Sequence, residues 1–169
     1  MITIMKRILY LSIAIVCLLS ASCRKDQVAV NGITATKDLT PWNTTDVYTG
    51  FKPLSTKDTL FITGHNGEEN IIIAIKQKGA GTYQPGEFKA YFYTTIGQDV
   101  IVSKYQLYND PANTIVITDY DETKQIIKGT FTLVFKSTYI YNNTLPDKVT
   151  FTNGKISTQL SATNMNPYK

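Results

Sequence analysis

Residues Gln125–Lys136 read QIIKGTFTLVFK, and this stretch decides the fold class. Its apolar side chains recur at every second position, and they are Ile127, Phe131, Leu133 and Phe135. Lysines and threonines occupy most of the positions between them. A period of two predicts a β-strand with one face in a core and the other in water. Gly129 interrupts the apolar face, which predicts a bend, a bulge or a close approach by a neighbouring chain.

Similar stretches, rich in Thr, Tyr, Ile, Val and Phe, continue along the chain after its first thirty residues. Gly, Pro, Asn and Asp separate them, which is typical of turns in antiparallel sheets. We therefore predict an all-β domain, an antiparallel β-sandwich or flattened β-barrel of about eight to ten strands. The other candidate strands are Ile33–Lys37, Asp46–Phe51, Thr59–Gly64, Asn70–Lys76, Phe88–Thr95, Val100–Leu107, Thr114–Asp119, Val149–Thr152 and Lys155–Leu160.

Two pairs of these strands are predicted to form hairpins. Asn153-Gly154 separates the last two strands, and this dipeptide is typical of a two-residue type I′ turn, in which both positions have positive φ. Such a turn would place Phe151 and Ile156 on one face. The second hairpin joins Thr59–Gly64 to Asn70–Lys76 through a tip at His65–Glu69.

The first twenty-two residues have the organisation of a secretory signal peptide. Lys6 and Arg7 form a basic start, Ile8–Leu19 is apolar, and small residues follow. The apolar run is shorter than the roughly 20 residues that a membrane-spanning helix needs.

Cys23 follows these small residues, and the segment resembles a bacterial lipoprotein signal. The resemblance implies cleavage before Cys23 and lipidation of Cys23, so that the lipid bilayer becomes a partner of the mature protein. We expect residues 1–22 to be the signal, 23–31 a lipidated tether and 32–169 a single β domain. The alternative is an ordinary secretory signal, which would leave a soluble secreted or periplasmic protein.

Composition excludes several classes of function. The chain has a net charge of +4, which falls to +2 once a signal containing Lys6 and Arg7 is removed. The remaining lysines are scattered, so we expect no nucleic-acid partner. One histidine and two cysteines supply few ligands or nucleophiles, so we expect no metal, no cofactor and no catalytic residue.

Two polar loops contain residue types that bind metal ions. His65, Glu68 and Glu69 fall together at the predicted hairpin tip, where a polar turn would have the same composition. Asp119–Thr123 resembles the start of a calcium loop but lacks its glycine and its distal glutamate. Both stretches are more simply explained as turns.

Tyrosines are the candidate binding residues. Tyr91 and Tyr93 alternate on one predicted strand, and Tyr139 and Tyr141 do so further along. Amphipathic rings on an exposed sheet face suit a protein or glycan partner. Asp58–Leu60 resembles the acceptor sequence for O-glycosylation in Bacteroidetes-type bacteria, which makes Thr59 a candidate modification site.

The domain as a whole resembles small Bacteroidetes lipoproteins of a domain-of-unknown-function family. The resemblance covers about residues 31–161 and is carried, in order, by Pro41–Trp42, Gly81–Tyr83, Ile117–Asp121, Gly129–Phe131 and Thr152–Ile156. It implies an exported β domain at the cell envelope, which we expect at the outer membrane. We predict a non-catalytic binding or accessory module for a protein or glycan. The alternative is a carrier of apolar small molecules with a lipocalin-like cavity.

Overall fold

The computed structural model describes residues 31–51, 59–141 and 144–161. Within these ranges the chain contains β-strands and no helix, which confirms the all-β prediction. The eleven strands are β1 (Gly32–Lys37), β2 (Thr40–Thr44), β3 (Asp46–Phe51), β4 (Thr59–Asn66), β5 (Glu69–Lys76), β6 (Gly81–Tyr83), β7 (Phe88–Ile96), β8 (Val100–Leu107), β9 (Thr114–Asp121), β10 (Ile126–Ile140) and β11 (Lys148–Gln159).

All eleven strands belong to one antiparallel sheet. The main path runs β2-β1-β11-β10-β8-β7-β5-β4-β3. Strand β10 joins two regions, because its first half pairs with β9 and its second half with β8, while β11 lies along its other edge. Strand β6 extends the sheet beyond β9.

The sheet bends over its own core without closing into a barrel. Strands β2 and β3 are the ends of the path and do not pair with each other. Strand β3 nevertheless contacts the end of β11 across the core. The backbone N–H of Ser161, just after β11, donates to the carbonyl oxygen of Thr49 on β3 at 2.7 Å. The hydroxyls of Thr49 and Thr158 share a buried hydrogen bond of 3.0 Å. The architecture is therefore that of a β-sandwich.

Aromatic rings fill the space between the two layers. Phe151 of β11 packs edge-on against Trp42 at 5.5 Å and against Phe135 at 5.8 Å between ring centroids. Its centroid lies 5.3 Å from that of Phe92 on β7. Full burial of one such ring contributes about 1.5–3 kcal/mol to folding, so these four side chains are a main source of stability.

The surroundings of Gly129 confirm the predicted close approach of a neighbouring strand. A Cβ atom at this position would lie 2.6 Å from the carbonyl oxygen of Val116 on β9. The pairing of β9 with β10 shifts by one residue between Lys128 and Gly129. The glycine thus lets β9 pass close to β10 at an irregularity of the ladder.

The predicted hairpin at Asn153-Gly154 is wrong, because β11 continues through this dipeptide. Asn153 has a φ of 52°, as a type I′ turn would require, but it belongs to a bulge. Thr152–Gly154 holds one more residue than the facing parts of both β1 and β10. The extra residue shifts the alternation, so that Phe151 and Ile156 both face the core as expected. With a partner strand on each side, a continuous β11 forms two ladders along its length.

Two short strands were missed by the sequence analysis. Strand β2 contains Pro41, which removes a ladder donor, but β2 is an edge strand where that loss is tolerated. Its Trp42 is 2% exposed and belongs to the core. Strand β6 has only three residues, too few for a period to be read.

The hairpin of β4 and β5 is confirmed, with a tighter tip than expected. Asn66 pairs with Glu69, which leaves a two-residue turn at Gly67-Glu68. Gly67 has a φ of 60°, which suits such a turn. The predicted signal peptide and Cys23 lie outside the described residues.

Candidate functional site

The outer face of β7 carries two of the predicted binding tyrosines. Phe88, Ala90 and Phe92 point into the core, so the alternating Tyr91 and Tyr93 point away from it. Both tyrosines are partly buried by their neighbours on this face. They therefore share one side of the sheet, as their spacing predicted.

Strand register brings side chains from four strands around these rings. Tyr91 lies opposite Ile72 on one side and Gln106 on the other. Tyr93 lies opposite Lys104, which in turn lies opposite Tyr139 of β10. Neighbouring strands are about 4.8 Å apart, so these side chains form one surface. We name it the tyrosine face, and its members are Ile72, Lys89, Tyr91, Tyr93, Lys104, Gln106, Lys136 and Tyr139.

A groove of about 580 Å³ lies on the tyrosine face. Tyr91, Tyr93 and Lys104 line its middle, and Asp99 and Ile101 line the end next to the β7–β8 turn. A second recess of about 320 Å³ lies further along and shares Tyr91 as a wall. Volumes of a few hundred Å³ are typical of small-ligand sites. Tyr91 thus divides an extended groove into two parts.

The chemistry of the groove is mixed. Burial raises the pKa of Tyr93, so its hydroxyl stays protonated at neutral pH and is able to donate and accept hydrogen bonds. Gln106 adds an amide, and Lys104 adds a cation that is exposed. The groove therefore combines ring faces with several polar groups, as a site for a polar ligand does.

The other two predicted tyrosines lie at one end of this surface. Tyr139 is 45% exposed and belongs to the tyrosine face through its pairing with Lys104. Tyr141 follows the end of β10 and is 75% exposed. Its backbone N–H donates to the carbonyl oxygen of Val102 at 2.9 Å. Neither tyrosine lines the 580 Å³ groove.

Three lysines of the tyrosine face were missed by the sequence analysis. Lys89 was visible as the residue that precedes Tyr91 in the same alternation. Lys104 and Lys136 come near each other only because β8 pairs with β10. Within the described ranges, none of the three forms an ion pair with a carboxylate.

The polar tip of the β4–β5 hairpin does not form a metal site. Glu69 is paired with Lys37, and the Nδ1 of His65 shares a hydrogen bond with the amide oxygen of Asn70. Glu68 points instead toward the β7–β8 turn. Among the residues that the structure describes, no three His, Cys, Asp or Glu side chains are placed to hold a metal ion.

Glu68 fastens this hairpin to the β7–β8 turn beside the groove. Its carboxylate accepts hydrogen bonds from the Thr95 hydroxyl and from the backbone N–H groups of Gly97, at 3.0 Å, and Gln98, at 3.1 Å. The Thr95 hydroxyl, followed by the two N–H groups, holds the pKa of Glu68 below its ordinary value. Glu68 therefore positions the turn that carries Asp99 at the end of the groove.

Replacement Glu68→Gln is expected to lower stability at pH 7 and to lose most of this effect in acid. Because folding lowers the pKa of Glu68, its contribution is complete above the pKa of an unfolded glutamate, about 4.3. The contribution disappears as pH falls through the lower folded value. Urea unfolding of both proteins at pH 7 and near pH 3 measures this. A stability difference of equal size at both pH values would contradict the role of the charge.

The Asp119–Thr123 stretch spans the end of β9 and the start of the turn that joins β9 to β10, so the predicted turn begins only after Asp121. The Asp121 carboxylate accepts hydrogen bonds from the backbone N–H groups of Thr123 at 2.9 Å and Lys124 at 2.8 Å. Asp119 lies 3.6 Å from the ammonium of Lys128. These carboxylates serve the turn and neighbouring lysines, and the adjoining depression is wide and shallow.

Thr59 is the first residue of β4, is partly buried and lines the smaller recess. Its proposed modification stays a prediction, as does the lipidation of Cys23 outside the described residues.

Among residues 31–51, 59–141 and 144–161, no helix is long and apolar enough to cross a membrane.

Comparison with known proteins gives a family and no function. No curated protein and no solved structure matches the chain. A family model described as "Domain of unknown function (DUF6252)" matches residues 30–158. The match covers β1 to β10 and all of β11 but its last residue. The chain therefore belongs to the DUF6252 family.

Proposed function

We propose that this protein is a non-catalytic binding module of the cell envelope, lipid-anchored through Cys23, and that its tyrosine face contacts a glycan or protein partner. The observation that carries the proposal is the groove of about 580 Å³ divided from a second recess by Tyr91. Amphipathic rings beside polar groups bind ligands that have both apolar and hydroxyl-bearing surfaces.

The packed interior favours the outer face of the sheet, rather than an internal cavity, as the binding surface. An apolar carrier needs an enclosed cavity, whereas the rings of Trp42, Phe92, Phe135 and Phe151 pack against each other between the layers. The described sheet is also open between β2 and β3. Both features favour a binding module over a lipocalin-like carrier.

Truncation of the central ring tests the binding surface. The full exported protein, purified in detergent, is screened against oligosaccharides and purified envelope proteins, and Tyr91→Ala is measured on whatever binds. A tyrosine at the centre of a contact typically contributes more than a tenfold change in affinity, so Tyr91→Ala should lose at least that much. Leu39→Ala removes a side chain that is 96% exposed and outside the groove, and should leave affinity unchanged.

Two results would contradict the proposal. One is a folded wild-type protein that binds no ligand of either class, and the other is a Tyr91→Ala protein that binds as tightly as the wild type. Circular dichroism of each variant shows whether the fold is retained.

Replacement Cys23→Ala is expected to move the protein from the membrane fraction to the soluble fraction. A lipoprotein of this type carries three acyl chains, more than the two signals that stable attachment requires. The signal-like segment before Cys23 and the family resemblance support this anchor at the outer membrane of a Bacteroidetes-type bacterium. Immunoblots of fractionated cells measure the distribution. A variant that stays in the membrane fraction would contradict lipidation of Cys23. It would not affect the proposed binding surface, which the Tyr91→Ala variant tests separately.

A further inference from the structure

We propose that the ligand of the tyrosine face is an acidic oligosaccharide, a hydroxyl-rich chain that carries carboxylate or sulfate groups. This inference rests on the proposed binding function and specifies the chemistry of the ligand.

The first support is the charge of the face. Lys89 on β7, Lys104 on β8 and Lys136 on β10 all point outward and are exposed. Among the described residues, the outward positions of β7, β8 and β10 carry no carboxylate. Asp99 lines the end of the groove, and Glu87, which is paired with Lys78, lines the recess beside it. Lys104 lines the groove and Lys89 lines the recess, while Lys136 lies opposite Gln106 of the groove wall. Cations of one sign around a concave surface attract an anionic ligand.

The second support is an unfavourable contact that an anion would relieve. Lys136 lies directly opposite Lys148 in the β10–β11 ladder. Like charges at such a position destabilise a sheet. The ammonium of Lys148 is 3.8 Å from Asp110, whereas Lys136 has only the ring of Tyr108, 5.8 Å from its ammonium, as a charge partner among the described residues. An acidic group beside Lys136 would supply the missing counter-charge.

The third support is the arrangement of the rings. Tyr91 and Tyr93 are two residues apart on one strand face, about 6.6–6.8 Å along the strand. Rings at this spacing can pack against the apolar C–H faces of successive sugar units. Gln106 beside Tyr91 and the hydroxyl of Tyr93 supply hydrogen bonds for sugar hydroxyls. The recess on the far side of Tyr91, next to Lys89, extends the groove for a chain-like ligand.

A peptide that adds as a strand does not fit this surface. Strand β7 pairs with β5 and β8, and β8 pairs with β7 and β10. Around Tyr91 and Tyr93 the backbone N–H and C=O groups therefore serve the sheet itself, and β7 and β8 offer no free edge there for β-strand addition. A ligand over these strands must be recognised by side chains, and those are tyrosines, lysines and an amide.

The test compares two sugars that share one backbone and differ in whether their carboxyl groups are charged or esterified. A hexamer of galacturonate and its fully methyl-esterified form are titrated into the full exported protein by calorimetry, with hexaglutamate as a polyanion that lacks sugar rings. We expect the acid hexamer to bind at least tenfold more tightly than either comparison ligand, since hydrogen bonds to charged groups are about twice as strong as neutral ones. Raising the salt concentration from 0.15 to about 0.5 M should weaken the binding.

Lysine variants locate the effect. The double variant Lys104→Gln, Lys136→Gln keeps both stems and should lose at least tenfold in affinity for the acid hexamer. Lys155→Gln removes the same charge from an exposed lysine on β11 away from the tyrosine face, and should bind as the wild type does.

The outcomes separate this inference from the proposed function. Equal affinity for the acid and the ester would overturn the inference while leaving a glycan-binding module. If hexaglutamate bound as tightly as the acid hexamer, the ligand would be an acidic peptide or protein and the inference of a sugar would be wrong. If the double variant kept full affinity for the acid hexamer, the binding site would lie outside the tyrosine face. The absence of binding to every oligosaccharide and envelope protein would remove the binding function itself.

Discussion

Phe151→Ala is expected to lower the free energy of unfolding by about 4 kcal/mol. The side chain is fully buried and packs against Trp42, Phe92 and Phe135. These rings come from β2, β7 and β10, so one truncation removes contacts that join both layers of the sandwich. The loss combines the transfer free energy of the ring with the cavity left among three rigid neighbours. Urea unfolding followed by tryptophan fluorescence measures it, because Trp42 is the single tryptophan and contacts the site.

Two further variants keep this prediction testable if Phe151→Ala does not fold. Phe151→Leu retains most of the apolar volume and should cost about 1–2 kcal/mol. Tyr141→Ala truncates a ring that is 75% exposed, so its effect should stay within about 0.5 kcal/mol. Equal losses for the buried and the exposed ring would contradict the role of Phe151 at the centre of the core.

Gly129→Ala is expected to lower the free energy of unfolding by about 3 kcal/mol. The added Cβ would lie 2.6 Å from the carbonyl oxygen of Val116 and 3.4 Å from the Cα of Ile117. Both atoms belong to the backbone of β9, so no side-chain rotation relieves the contact and the two strands must separate. Thermal unfolding by circular dichroism measures the loss.

Thr130→Ala is the matched control for this glycine. It changes the next residue of the same strand, whose side chain is exposed, and should cost about 1 kcal/mol or less. Gly154→Ala offers a second comparison, because its added Cβ would meet the ring of Phe131 at 2.6 Å. A smaller side chain at position 131 removes this contact. Phe131→Leu should therefore restore part of the stability that Gly154→Ala loses. A Gly129→Ala protein as stable as the wild type would show that β9 and β10 are not held at this distance.

The strands with strict alternation were predictable from the chain alone. In β7 and β10 the side chains of one face are apolar, and a pleated strand turns every second residue to the same side. The same alternation placed Tyr91 and Tyr93 together. Strand β2 was not predicted, because its five residues are short and contain Pro41, which a strand tolerates at the edge of a sheet.

The Asn153-Gly154 dipeptide shows where local interpretation fails. It correctly marks a position of positive φ, but a hairpin turn and a bulge both require one. The choice between them depends on which strands flank β11. Strands β1 and β10 do so, and they come from opposite ends of the domain sequence.

Alternation by itself determined that the described part of the chain is all-β, that one face of β10 lies in the core and that Tyr91 and Tyr93 share a face. Only the tertiary structure decided that Ile72, Lys104, Gln106 and Lys136 surround these tyrosines. The physical reason is that periodicity is a property of one strand, whereas a surface across strands depends on their order and register. That order follows from burial of the whole core, in which β10 pairs with β8 across twenty or more intervening residues.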